Sequence, residues 1–140
     1  MPILVNIDVP DIEQALAFYT QALGLTIGRQ FGPDFVELLG AGSPIYLLKK
    51  ESGTHPFPGA QQERTYERHW SPVHLDFVVD DIDAAVARAR SAGATEEDPI
   101  SEHAYGRLAM FADPFGNGFC LLQFTGAGYD AIATEKGRST

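Results

Sequence analysis

The residues best suited to chemistry fall on one side of a short stretch in the middle of the chain, Val73-His74-Leu75-Asp76-Phe77-Val78-Val79. Its strict alternation predicts a strand with His74, Asp76 and Val78 on one face and Val73, Leu75, Phe77 and Val79 on the other. An imidazole beside a carboxylate suits general acid–base work, metal ligation or hydrogen bonding in a ligand pocket. The same pair also reads as a half-buried histidine satisfied by Asp76 or by backbone. Ile3-Leu4-Val5-Asn6-Ile7-Asp8-Val9 has the same period and puts Leu4, Asn6 and Asp8 on the matching face, with Asp8 read as solvated. The single thiol, Cys120, lies in Phe119-Cys120-Leu121-Leu122. A thiolate there would be a nucleophile, whereas a lone cysteine on a strand is ordinarily a small buried hydrophobe.

Two copies of one plan must position these faces. Val9-Pro10-Asp11-Ile12 is echoed by Val79-Asp80-Asp81-Ile82, and Ile45-Tyr46-Leu47-Leu48 by Phe119-Cys120-Leu121-Leu122. A duplicated unit implies two modules related by a pseudo-twofold axis, with a cleft where they meet. After the first strand, Asp11 is a helix cap, Gly24 a stop, and Ile12, Ala15, Leu16, Tyr19, Ala22 and Leu23 form the apolar stripe. Strands are predicted at about 25–31, 34–39 and 44–49. In the second copy Asp81 caps a helix that Gly93 stops. Strands follow near 94–99, 107–112 and 119–124, with a loop through His103 and Tyr105 and a dense turn at Asp113-Pro114-Phe115-Gly116-Asn117-Gly118. Each half therefore reads βαβββ. The expected organisation is one domain over 1–125, with modules at about 3–50 and 71–125, a connector at 51–70 and a loose or partner-bound tail at 126–140. The end of that tail, Glu135-Lys136-Gly137-Arg138-Ser139-Thr140, reads as polar and without chemistry.

Composition narrows the function classes. The 140 residues suffice for one core, and neither half would be stable alone. The net charge of −9 argues against nucleic acid and against an anionic membrane surface, and favours solubility or attraction of a cationic small molecule. No apolar run approaches a membrane span, and no secretory signal pattern opens the sequence. One cysteine rules out an internal disulfide and suits a reducing cytoplasm.

Taken in order, Val9-Pro10-Asp11 leading into Phe18-Tyr19 and Leu23-Gly24, His74 ahead of Asp81, and Asp113-Pro114-Phe115-Gly116-Asn117 resemble the vicinal oxygen chelate superfamily. That superfamily includes glyoxalases, bleomycin and fosfomycin resistance proteins, and extradiol dioxygenases. The resemblance covers about residues 3–125. It implies an α+β fold in which two βαβββ modules pair into a cleft-forming curved mixed sheet, and it implies a homodimer. Members that use a divalent metal take one ligand from the first and last strand of each module. Carried through the repeat, those positions are Leu4, Tyr46, His74 and Cys120. Leu4 has no donor, and Tyr46 and Cys120 stand where histidine or glutamate is usual. The ligand set is incomplete, so no cofactor is expected, and His74 is the metal ligand if a divalent ion binds.

The resulting expectation is a bleomycin-resistance-like protein with a degenerate metal site, binding or sequestering a small cationic or apolar compound between the modules. The cleft is expected to be lined by Leu4, Asn6, Tyr46, His74, Asp76, Cys120 and Leu122, with Cys120 across from His74 and Tyr105 and Arg107 at the rim. Arg107 would meet an anionic group of a ligand or else make a surface salt bridge. Trp70 and Phe115 also flank the cleft. One alternative is a glyoxalase-like lyase, isomerase or dioxygenase-type enzyme, with His74 or Cys120 catalytic. A second is a dimeric module that binds another protein.

Overall fold

Two aspartates start the two helices. Asp11 accepts a hydrogen bond from the Gln14 amide at 3.0 Å, and Asp81 one from the Ala84 amide at 3.2 Å. Each satisfies an amide that the first helical turn leaves free. The computed structural model describes residues 1–135. The first module comprises β1 (Val5–Val9), α1 (Ile12–Leu23), β2 (Thr26–Gln30), β3 (Phe35–Leu39) and β4 (Ile45–Lys49). The second comprises β5 (Leu75–Val78), α2 (Ile82–Ser91), β6 (Thr95–His103), β7 (Gly106–Ala112) and β8 (Gly118–Phe124). Gly24, at φ 66°, ends α1 in the left-handed region that a side chain would resist.

The strand orders are β1-β4-β3-β2 and β5-β8-β7-β6. In each sheet the first strand pairs in parallel with the last, so Asn6 lies opposite Tyr46 and Asp76 opposite Cys120. The other pairings are antiparallel. The helices cover one face of the sheets. Ala15, Phe18, Val36, Leu38 and Leu47 share a single buried cluster with Val86, Ala109, Phe111, Phe119 and Leu121. Pairing and alternation then leave Asn6, Tyr46, Glu37 and Phe35 on the open face of the first sheet. Asp76, Cys120, Leu122 and Met110 occupy the open face of the second.

β1 and β5 are both edge strands, and no ladder joins them. The modules are held together by helix packing and by a buried polar knot at the β7–β8 turn. Asp113 Oδ1 accepts from the amides of Phe115 (2.8 Å) and Asn117 (2.9 Å). Asp113 Oδ2 accepts from the Tyr19 hydroxyl at 2.5 Å, which ties α1 to the second module. Burial, and then the Asp113 carboxyl, keep the Tyr19 phenol protonated and able to donate.

Several sequence expectations need correction. The ladder of β1 starts at Val5 and that of β5 at Leu75, so Ile3, Leu4, Val73 and His74 precede the paired segments. β6 reaches His103, well past the expected end near 99, because irregularities between Glu96 and Asp98 and between Asp98 and Ser101 admit Pro99 to an edge strand. The tail is not loose immediately after β8. Gly128–Ala131 form a 3-10 turn, and Tyr129 packs on Phe124 at 4.8 Å and Tyr105 at 5.3 Å between ring centres. Residues 136–140, most of the segment read as polar and without chemistry, lie outside the described residues. Asp8 is not simply solvated, since connector Arg64 reaches it at 2.9 Å.

Replacing Tyr19 by Phe removes the cross-module bond and leaves a buried carboxyl oxygen one donor short. We expect a loss of about 1–3 kcal/mol, read as a lower urea midpoint with an unchanged slope. An unchanged midpoint would mean that helix packing alone holds the modules together.

Candidate functional site

A cavity of about 540 Å³ opens where the two first strands meet, lined by Leu4, Asn6 and Asp8 from one module and by His74, Phe77 and Asn117 from the other. Leu4 and His74, equivalent by the repeat, thus border one hollow. The connector forms part of the wall through Arg68 and His69. It is pinned by Arg64 to Asp8, by the Tyr66 hydroxyl donating to the Lys50 carbonyl at 2.6 Å, and by Arg68 gripping both carboxylate oxygens of Glu97 at 2.6 and 3.0 Å. Gly118 makes room for that grip, because a Cβ there would lie 2.5 Å from Arg68 Nη2.

On the open face of the second sheet, His74 Nε2 lies 3.5 Å from Asp76 Oδ1. One ligating atom each from His74, Asp76 and Cys120 falls within a common 4.8 Å. Cys120 sits beside His74 and Asp76 on the neighbouring strand, not across a cleft, because parallel pairing of β5 with β8 fixes Asp76 opposite Cys120. Burial foremost, with the Asp76 carboxylate next, pushes the thiol up to about 11. As it stands the side chain is a protonated thiol and a poor nucleophile.

The open face of the first sheet is built differently. Tyr46 is buried, and its hydroxyl donates to Glu37 Oε2 at 3.0 Å. Arg29 adds its backbone amide to Oε1 at 3.1 Å and its Nη2 to Oε2 at 2.6 Å. The Arg29 side chain foremost, with its amide and then Tyr46, holds the Glu37 carboxyl down to about 2. Gly28 permits this, since a Cβ there would stand 2.6 Å from Glu37 Oε1. Phe35 packs edge-on to Tyr46 at 5.5 Å. Sequence reading missed this cluster. The available signal was a carboxylate inside Phe35-Val36-Glu37-Leu38-Leu39, a strand otherwise apolar on both faces.

The structure brings only some of the expected residues together. Leu4, Asn6 and His74 share the seam cavity; Asp76 and Cys120 lie beside His74; Tyr46 is occupied by Glu37. Leu122 is on the open face but 1% exposed. Arg107 is opposite Gln123 on the helix side, where it pairs with Asp83 and Glu102, both at 2.9 Å, because the β7 register turns it away from the hollow. Tyr105 is in the β6–β7 turn, stacked on His103 at 5.0 Å. Phe115 is a core residue, while Trp70 is 82% exposed and lines a neighbouring cavity with His74 and Cys120. The four positions implied for a metal shared between modules do not supply four donors, since Leu4 has none and the Tyr46 hydroxyl is spent on Glu37.

Comparison with known proteins places this geometry in context. A family profile described as a glyoxalase-like domain matches residues 4–122. The chain is 32% identical over 123 residues to CFP32, a putative glyoxylase of Mycobacterium bovis, covering 83% of this chain and 40% of that protein. It is 31% identical over 125 residues to the anthracycline biosynthesis protein DnrV of Streptomyces peucetius, covering 87% and 40%. It thus spans about two fifths of the length of each. Among solved structures it is similar to TnmS3, an antibiotic binding protein from Streptomyces sp. CB03234, with 27% identity, a TM-score of 0.63 and coverage of 89% and 96%.

The Glu37 cluster has a defined pH signature. Its carboxyl titrates near 2 when folded, against an ordinary 4.5, so its stabilising effect is complete above the ordinary value and is lost as pH falls toward 2. Melting temperatures measured from pH 6 to pH 2 should fall less steeply in Glu37→Gln than in the parent. Parallel curves would show that the cluster does not contribute.

Proposed function

The chain therefore belongs to the glyoxalase-like domain family, and we propose that it is a small-molecule-binding member that holds its ligand in the cavity between β1 and β5. The observation that carries this reading is the hollow itself. It lies at the joint of the duplicated modules, and its volume of about 540 Å³ suits a compact organic molecule. Leu4, Val73 and Phe77 offer apolar contact, and Asn6, His74 and Asn117 offer a few polar points. Such a lining favours a planar, largely apolar compound, and the net charge of −9 favours one that carries a cation. That one relative is named an anthracycline biosynthesis protein and another an antibiotic binding protein supports a small organic ligand.

The reading includes a homodimer in a cytoplasmic setting. Ile3, Leu4, Val73, Val78 and Trp70 are between 58% and 82% exposed, an apolar surface that a second copy or a ligand would cover. The free Cys120 suits a reducing compartment. No helix among the described residues is long and apolar enough to cross a membrane.

One specific feature favours a second reading. Asp76, 3.5 Å from His74, would orient the imidazole for acid–base work, as a lyase or isomerase acting beside a carbonyl would need.

A thermal-shift screen on chelator-treated protein, using planar cationic antibiotics, glutathione adducts and acyl-CoAs, tests both readings. A ligand present at a hundred times its Kd should stabilise the fold by about 2.7 kcal/mol. Leu4→Arg, which fills the hollow and adds a like charge, should abolish the shift. Ligand-induced shifts that survive Leu4→Arg would place the site elsewhere. Turnover of a bound compound that His74→Gln eliminates would establish the enzyme instead.

A further inference from the structure

We propose that His74, Asp76 and Cys120 form a zinc site contained wholly within the second module. The site rests on backbone register. Asp76 and Cys120 are directly paired residues of parallel neighbours β5 and β8, and His74 precedes Asp76 by two residues on the same side. Strand positions hold Asp76 and Cys120 more firmly than a loop would, so the ordering left for an ion to impose falls mainly on His74, just ahead of β5. The three ligating atoms already lie within 4.8 Å of one another. The His74–Asp76 separation of 3.5 Å is close to the edge of a tetrahedron built from bonds of about 2.0–2.1 Å.

The donor set selects the ion. One imidazole nitrogen, one carboxylate oxygen and one sulfur make a borderline-soft site suited to Zn²⁺. Mg²⁺ and Ca²⁺ take oxygen ligands and would leave the sulfur unused. Three protein ligands leave a fourth position for water. Exposure is graded to match: Cys120 is buried, the Asp76 side chain is 33% exposed and that of His74 is 62% exposed, so an ion could enter from the His74 side. Arg68, which shares a cavity with His74 and Cys120, is already held by both oxygens of Glu97. The ion-pair partner of Asp76 among the described residues is His74, the other donor of the site. This set differs from the four positions the resemblance implies, because it takes nothing from the first module and adds Asp76.

The test uses the full chain stripped with a chelator. Titrated with Co²⁺ as a spectroscopic stand-in, it should show tetrahedral visible bands and a thiolate-to-cobalt charge-transfer band in the near ultraviolet. Both should saturate at about one equivalent and be displaced by Zn²⁺. Cys120→Ser should remove the charge-transfer band. Asp76→Asn, a change at a partly exposed carboxylate that retains its shape, should weaken Zn²⁺ by about a hundredfold or more, since even outer-shell partners are worth about ten- to a hundredfold. Circular dichroism would confirm that both variants are folded, and should Cys120→Ser fail, Asp76→Asn and His74→Gln decide alone. A missing charge-transfer band, a band that survives Cys120→Ser, or Zn²⁺ affinity in Asp76→Asn within twofold of the parent would overturn the proposal. The small-molecule screen is read on metal-free protein, so either reading can fail without the other.

Discussion

The Tyr19 hydroxyl and the Asp113 carboxyl meet in the core, and that contact determines how the modules sit together. The two sheets end on β1 and β5 without a ladder between them, so no backbone-to-backbone pairing of these strands holds the seam. Apolar packing of α1 against α2 is favourable but non-directional. The buried bond supplies direction, because a hydroxyl and a carboxyl cut off from water must stay in register or lose their partners. The same carboxyl organises the β7–β8 turn through Phe115 and Asn117, and Asn117 borders the seam cavity. The clamp and the hollow are thus two sides of one local arrangement.

The duplication makes the asymmetry of the molecule informative. The position equivalent to Tyr19 in the second helix is Ala89, fully buried and without a polar group. The turn equivalent to Asp113-Pro114-Phe115-Gly116-Asn117 is Leu39-Gly40-Ala41-Gly42-Ser43, which has no carboxylate. Among the described residues only one end of the seam carries this clamp, and the other opens into a second, smaller hollow of about 440 Å³. The open faces differ in the same way. In the first module Glu37 is saturated by Arg29 and Tyr46, which leaves that face a closed polar cluster. In the second, His74, Asp76 and Cys120 stand together, and among the described residues no lysine or arginine pairs with Asp76. The paired scaffolds therefore carry one structural face and one with free chemistry.

Much of this was legible in the chain because it rests on local rules. Alternation identified the faces of β1 and β5, Asp11 and Asp81 marked the helix starts, and the repeat implied two βαβββ units facing each other. The misses share one cause. The strand expected near 94–99 runs on to His103 because two irregularities accommodate Pro99, and those depend on β7 as partner. Arg107 had the right chemistry for a ligand but the wrong parity, which is set by its pairing with Gln123. Glu37 looked like an ordinary strand residue until Arg29, Tyr46 and the gap at Gly28 closed around it.

By itself the sequence determined the two modules, their helix caps, and the equivalence of Leu4 with His74, since periodicity and capping act within a few residues along the chain. Tertiary structure alone decided that Cys120 lies beside Asp76, that Tyr46 is spent on Glu37, and that Tyr19 reaches Asp113. Those contacts join positions far apart in the chain. Strand register and burial select them, and both are products of the whole fold.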